Sequence, residues 1–177
     1  MRQLLDDGVK HAEALLLVQT AGCLHRPWTL LQVYEAAKLK KPILCVHVAG
    51  SGYDFHTAKV YLRDMRGGLE KLRPGASDVV DELLKSRGNR TFKHMEEELL
   101  SVIPNTISVS MNPGDTSEMT AATVERIANL LSKQKAEAKA KLQQATLRKT
   151  KLDESAKRMG AKGNELEVIQ VQAATTT

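Results

Sequence analysis

The chain has 177 residues, of which 42% are hydrophobic and only 3% aromatic, and 26 Lys and Arg against 21 Asp and Glu give a net charge of +5. This length suits one domain with an appendage, and because no apolar run reaches 18 residues we expect no membrane-spanning helix. Basic and aromatic residues are not interleaved, so sequence-specific nucleic-acid binding has no support. The two cysteines, Cys23 and Cys45, lack metal-ligand spacing and favour reduced thiols in a cytoplasmic protein.

The charge is concentrated in one segment. Residues 1–132 hold 16 basic and 16 acidic residues, whereas residues 133–162 hold ten basic and three acidic residues, a net charge of +7. We therefore predict a domain over 1–132, a basic, Ala-rich helical tail over 133–162 and a disordered end over 163–177. Such a tail is suited to contact acidic surfaces.

The first half of the chain alternates helix and strand signals. After a helix end in the first dozen residues, the short apolar run 14–20 predicts a buried strand. Pro27 suits the first turn of a helix, which we expect over 27–40 and stopped by Pro42. The apolar run 42–48 predicts a second buried strand.

The second half continues the pattern. A helix is expected over 56–72, a second from an N-cap at Ser77 to Gly88, and a third that stops at Pro104. The β-branched segment 105–111 predicts a third strand, and a long helix begins near Ser117. Short apolar strands alternating with helices indicate an α/β fold with a parallel, doubly wound sheet. Only about three strands are visible, so we expect an incomplete sheet whose first strands are missing.

Apolar residues along the long C-terminal helix form a weak coiled-coil seam. Apolar residues recur at spacings of three and four from Val124 to Met159, but the seam is rich in Ala and interrupted by Gln134 and Lys149. The tail is therefore either a weak coiled coil that mediates homo-association or a solvated, partly frayed helix.

The stretch from strand 14–20 to strand 42–48 resembles the second half of a Toll/interleukin receptor (TIR) domain. In that family a strand and a small-residue loop precede the sequence Trp, Cys, Leu, any residue, Glu, Leu, and the helix closes on a Pro that begins the next strand. Here Trp28, Thr29, Leu30, Leu31, Gln32 and Val33 occupy those places. The resemblance covers roughly residues 3–132 and implies a flavodoxin-like fold that lacks the family's opening strand.

The resemblance implies two functions. TIR domains associate with themselves or with other TIR domains in intracellular signalling. Many also cleave NAD at the nicotinamide–ribose bond, and some cyclise the ADP-ribose. In those enzymes the Glu four residues after the Trp is catalytic, because its charge stabilises the positive charge that develops on the ribose.

Gln32 occupies the position of that Glu and has neither its charge nor its acid–base function. It is either a solvated helix residue without a role or a lapsed catalytic position that would contact the nucleotide together with Trp28. Helical spacing places Glu35 on the same face as these two residues, so Glu35 is a candidate substitute for the missing carboxylate.

Other candidates carry less weight. His47 in strand 42–48 reads as a core residue, and His25 and His56 are expected in loops at the carboxyl ends of strands, where ligands bind in such sheets. No metal site and no cofactor are expected. We therefore predict an intracellular signalling module that acts through TIR–TIR association without catalysis. The alternative is an NAD nucleosidase or ADP-ribosyl cyclase, truncated or inactivated at Gln32, with NAD as its substrate.

Overall fold

The computed structural model of the chain describes residues 4–88 and 90–174, with side chains described from 7 to 150 except at 89, 142, 145 and 149. Three strands, β1 (Leu15–Gln19), β2 (Ile43–Val48) and β3 (Ser108–Met111), form one parallel sheet in the order β1-β2-β3. Leu17 pairs with Cys45, and Cys45 pairs with Ser108. The predicted α/β class and the three parallel strands are confirmed.

In the described part of the chain, six α-helices connect and flank the strands. They are α1 (Pro27–Lys38), α2 (Phe55–Arg63), α3 (Met65–Leu72), α4 (Ala76–Ser86), α5 (Phe92–Val102) and α6 (Ser117–Ala174). Shorter helical turns cover Leu4–Val9, Cys23–His25 and Ile103–Asn105. None of the described helices is long and apolar enough to cross a membrane.

The single helix expected over 56–72 is two helices. Asp64 interrupts it with an extended φ of −141°, and its carboxylate accepts a hydrogen bond from the Gly67 N–H at 3.1 Å, which caps α3. Such a cap satisfies a backbone donor at the new helix start and so stabilises the break.

Ser77 is not an N-cap, contrary to the sequence-based expectation. Helix α4 begins two residues earlier, at Ala76, and its N-cap is Gly75, whose φ of 81° lies in the left-handed region that glycine adopts without strain. Ser77 lies inside the helix and is buried, and its hydroxyl donates to the Glu70 carboxylate at 2.5 Å.

The main core lies between one face of the sheet and helices α1 to α5. Leu17 and Cys45 enter it from the sheet, and Leu30, Leu31 and Tyr34 enter it from α1. On the opposite face of the sheet Leu44 and Val46 of β2 and Val109 of β3 are also buried, whereas Leu16 and Val18 of β1 are each 45% exposed. The sheet is therefore covered unevenly, and β1 is its less protected edge.

The chain separates by its internal contacts into residues 1–136 and residues 137–177. Both the predicted boundary at residue 132 and this division fall inside α6. Within the first unit, Lys135 of α6 forms an ion pair with Glu13, the residue two positions before β1. Helix α6 continues to Ala174, so the disordered end expected from residue 163 is helical as far as that residue, which agrees with its few helix-breaking residues. Residues 175–177 of that segment lie outside the described part of the chain.

Candidate functional site

Helix α1 places the residues of the Trp motif. Its N-cap, Arg26, has an extended backbone with φ of −100°, and Pro27 follows in the first turn, where a missing N–H costs no hydrogen bond. Trp28 is half-buried and packs against the core, and Leu30 and Leu31 are fully buried. The helix is thus anchored by its apolar side, which leaves the side chains of Thr29 and Gln32 partly accessible.

A groove of about 310 Å³ runs between β1 and α1. Its strand side is formed by the four residues from Leu15 to Val18, and the remaining lining residues are Thr20, Cys23, Arg26, Thr29, Gln32 and Val33. Gln32 forms no hydrogen bond to any residue that the structure describes, so its amide is available to solvent or a ligand. This groove is the candidate functional site.

Trp28 and Gln32 are not brought together as the sequence suggests. Gln32 lines the groove, whereas Trp28 packs against the core and is not part of the lining. One helical turn separates them, but the groove lies on the side of α1 that Thr29, Gln32 and Val33 share. The predicted joint contact of Trp28 and Gln32 with a nucleotide remains a prediction that this geometry does not favour.

The groove offers hydrogen bonding and one positive charge. Arg26 is the charged residue among its described lining residues, and no carboxylate lines it. Cys23 is the candidate nucleophile, but burial raises the pKa of its thiol. Because the thiolate is the reactive form, this thiol is a weak nucleophile at neutral pH. The groove can therefore bind a polar or anionic group, and it lacks an evident group for acid–base or nucleophilic catalysis.

Glu35 lies in a different environment from Gln32. It is 7% exposed, and its carboxylate accepts a hydrogen bond from the Arg90 guanidinium at 2.7 Å and lies 3.6 Å from Arg87. Arg90 also lies over the Tyr34 ring, 5.5 Å from its centre. Glu35 thus joins α1 to the segment between α4 and α5, and it is not among the residues that line the groove. Its charge is matched by arginine, which leaves it poorly placed to stabilise a cation in the groove.

A buried polar network that the sequence did not reveal links all three strands. Gln19 is 1% exposed; its side-chain oxygen accepts a hydrogen bond from the Ser108 hydroxyl at 2.7 Å, and its amide donates to the Tyr53 hydroxyl at 3.4 Å. The Ser51 hydroxyl donates to the Gln19 carbonyl at 3.2 Å and to the Val48 carbonyl of β2 at 2.6 Å. Burial raises the pKa of Tyr53 to about 12, so its hydroxyl is protonated at neutral pH. The network fixes the carboxyl end of the sheet.

Aromatic side chains surround that end. The His47 ring lies 5.3 Å from Phe55 and 6.3 Å from Tyr53, measured between ring centres, so His47 belongs to an aromatic cluster. His25 packs on Tyr61 at 4.7 Å. His56 lines a separate cavity of about 280 Å³ with Tyr53 and Phe55. His47 and His56 therefore both adjoin Tyr53 and Phe55, whereas His25 lies apart on Tyr61, and the three histidines do not converge on one site.

No group of three or more His, Cys, Asp or Glu side chains within the described part of the chain is arranged to hold a metal ion. In comparisons with protein-family models, curated proteins and solved structures, the chain has no significant match.

Proposed function

We propose that the chain is a protein-interaction module similar to a TIR domain, which associates with other such domains or with itself and does not cleave NAD. The observation that carries the proposal is the chemistry of the groove between β1 and α1. Gln32 stands there where the NAD-cleaving members of the family carry their Glu, and no described lining residue supplies a carboxylate. Loss of a charge directed at a developing cation typically lowers a rate by about 10²- to 10³-fold.

Glu35 does not compensate for the missing charge in this proposal. Its carboxylate is bound by Arg90 at 2.7 Å, so moving it into the groove would break this pair and leave the Arg90 charge in a largely buried site. Uncompensated charges in such sites are costly. Catalysis by Glu35 would therefore require an unfavourable rearrangement.

The alternative function is NAD cleavage, as a nucleosidase or cyclase. One observation favours it: Arg26 and Gln32 both line a groove of about 310 Å³, and Arg26 could bind a phosphate of the dinucleotide. In that case the chain retains part of a nucleotide site with an amide in place of the catalytic carboxylate. Binding of NAD without cleavage would be compatible with this ancestry.

The test is nicotinamide release from NAD by the purified chain and by its Glu35→Gln variant. We expect no release above the rate of a protein-free control from either protein. Release by the unaltered chain would contradict the proposal. If the Glu35→Gln variant lost that release while keeping its fold by circular dichroism, Glu35 would be identified as the catalytic carboxylate.

A further inference from the structure

The free edge of β1 carries unpaired backbone groups. The Leu15 N–H donates to the Pro42 carbonyl at 2.9 Å, and the Ala21 N–H donates to the Ser51 carbonyl at 3.0 Å, so the odd-numbered residues of this strand face β2. Backbone groups alternate along a strand, and the N–H and C=O groups of Leu16 and Val18 therefore face away from the sheet. No hydrogen-bond partner for these four groups exists among the described residues.

The side chains at this edge are also unprotected. Leu16 and Val18 are each 45% exposed on the sheet face where Leu44 and Val46 are only 2% exposed. No charged residue occurs between residues 14 and 20. Exposed edges are normally blocked by charged side chains, proline or a covering loop, and an unblocked apolar edge is a template for strand pairing.

We infer that β1 pairs antiparallel with β1 of a second copy of this chain about a two-fold axis at Leu17, joining the two sheets into one sheet of six strands. This inference rests on the proposed function and names its partner and surface. In this register Leu16 lies opposite Val18 of the second copy, and Val18 lies opposite its Leu16. Each pair exchanges two hydrogen bonds, so all four outward groups of both copies are satisfied.

The side chains fit the same register. Leu16 and Val18 lie on one sheet face, so each becomes the cross-strand neighbour of the other residue in the second copy, and such apolar pairs stabilise antiparallel strands. Leu15 lies opposite Gln19, and Ala14 lies opposite Thr20, so like charges do not meet within the paired segment. Residues 1–132 carry equal numbers of basic and acidic residues, so this part of the two copies has no net charge to oppose association.

A closed dimer formed by two β1 strands is favoured over pairing of β1 with β3, the strand at the opposite edge of the sheet. The edge strand β3 has only four residues, and its outward backbone groups belong to Ser108 and Ser110. Pairing of β1 with β3 of another copy would join unlike surfaces, which produces open filaments unless the rotation between copies closes a ring. The two-fold pairing of β1 instead uses one self-complementary surface and ends at two copies.

The test is the mass of the full chain by light scattering over a range of concentrations, for the unaltered protein and for Val18→Lys. Lysines at 18 would lie beside Leu16 of the second copy at both ends of the pair, and we expect the dimer dissociation constant to rise at least about tenfold. The matched control is Val79→Lys, since Val79 is 48% exposed on α4 and distant from this edge in sequence. This control should form the dimer like the unaltered chain.

Amide hydrogen exchange distinguishes strand pairing from association elsewhere. The Leu16 and Val18 amides should exchange slowly at concentrations that give the dimer and rapidly on dilution. In Leu16→Lys, a second variant at an exposed position, the amides of residues 16 and 18 should exchange rapidly at every concentration. A monomer at every concentration, a dimer that Val18→Lys does not weaken, or open-ended assemblies would each overturn the inference. None of these results depends on nicotinamide release. Failure of the β1 pairing is therefore distinguished from failure of the proposed function, which nicotinamide release tests.

Discussion

The residue that best separates the two functions is Glu35. Helical spacing in the sequence places Glu35 on the same helix face as Trp28 and Gln32, which makes it a candidate catalytic carboxylate. In the structure it is 7% exposed and bound by Arg90 at 2.7 Å, with Arg87 at 3.6 Å. A carboxylate held between two guanidinium groups serves to join elements of the fold, and we interpret Glu35 in this way.

We expect Glu35→Ala to lower the free energy of unfolding by about 2–4 kcal/mol. Removing one member of a buried pair leaves the remaining charge uncompensated, and the partial exposure of Arg90 places the cost toward the lower part of the usual range. The measurement is urea-induced unfolding. The control on the same helix is Lys38→Ala, because Lys38 lies 3.8 Å from Glu98 in an exposed pair and should contribute less than about 1 kcal/mol. Equal losses for the two variants would contradict the structural role of Glu35.

Sequence reasoning could not assign these residues for identifiable reasons. Glu35 and Arg90 are 55 positions apart, and helical spacing reports which residues share a face but not what that face contacts. Gln19 follows four apolar residues in a strand and gave no sign that its amide joins β1 to Ser108 of β3 and to Tyr53. Gln32, by contrast, was singled out by its place after Trp28, and it does line the groove.

Among the elements, two apolar runs predicted β1 and β2, because buried parallel strands read as continuous apolar segments. The β-branched segment 105–111 predicted β3, and Pro27 predicted the start of α1, each within a few residues. The break between α2 and α3 was missed because Asp64 interrupts the helix without a proline or a glycine at the break itself. The start of α4 was misplaced because Ser77 resembles an N-cap, although its hydroxyl is used to bind Glu70.

Removal of residues 137–177 tests whether the seam in α6 contributes to association. The seam is interrupted by Gln134 and Lys149, and coiled coils depend on continuous apolar seams. We expect the shortened chain still to have twice its own monomer mass in light scattering, with the fold checked by circular dichroism. If the dimer is lost while the fold persists, the basic tail and not β1 would carry the association.

At the scale of the whole molecule, buried thiol and phenol groups predict loss of stability in alkali. Burial raises the pKa of the Cys45 thiol from its usual 9.0 to about 11, and the pKa of the Tyr53 hydroxyl from its usual 10.0 to about 12. In the window between these values the unfolded chain loses protons that the folded chain keeps, so the stability due to these groups is full below pH 9 and falls as pH rises.

We expect the thermal unfolding midpoint to decline above about pH 9, and we expect Cys45→Ala to decline less steeply up to about pH 11. Thermal unfolding of both proteins at a series of pH values measures the difference. The variant should be less stable than the unaltered chain at neutral pH by about 1 kcal/mol, because it leaves a small cavity. Parallel pH profiles would show that the Cys45 thiol does not contribute.

We propose that this molecule associates with similar domains or with itself and does not cleave NAD. This proposal depends on Gln32, whose amide stands in the position of the catalytic carboxylate. Nicotinamide release measured on the unaltered chain, with Gln32→Glu measured beside it, tests the claim most directly. We predict no release from the unaltered chain, because no described residue of the groove supplies the negative charge that the reaction requires. We also predict none from Gln32→Glu, because the described lining of the groove offers no second group for acid–base or nucleophilic catalysis. Nicotinamide release by the unaltered chain, at a rate proportional to protein concentration, would contradict the account.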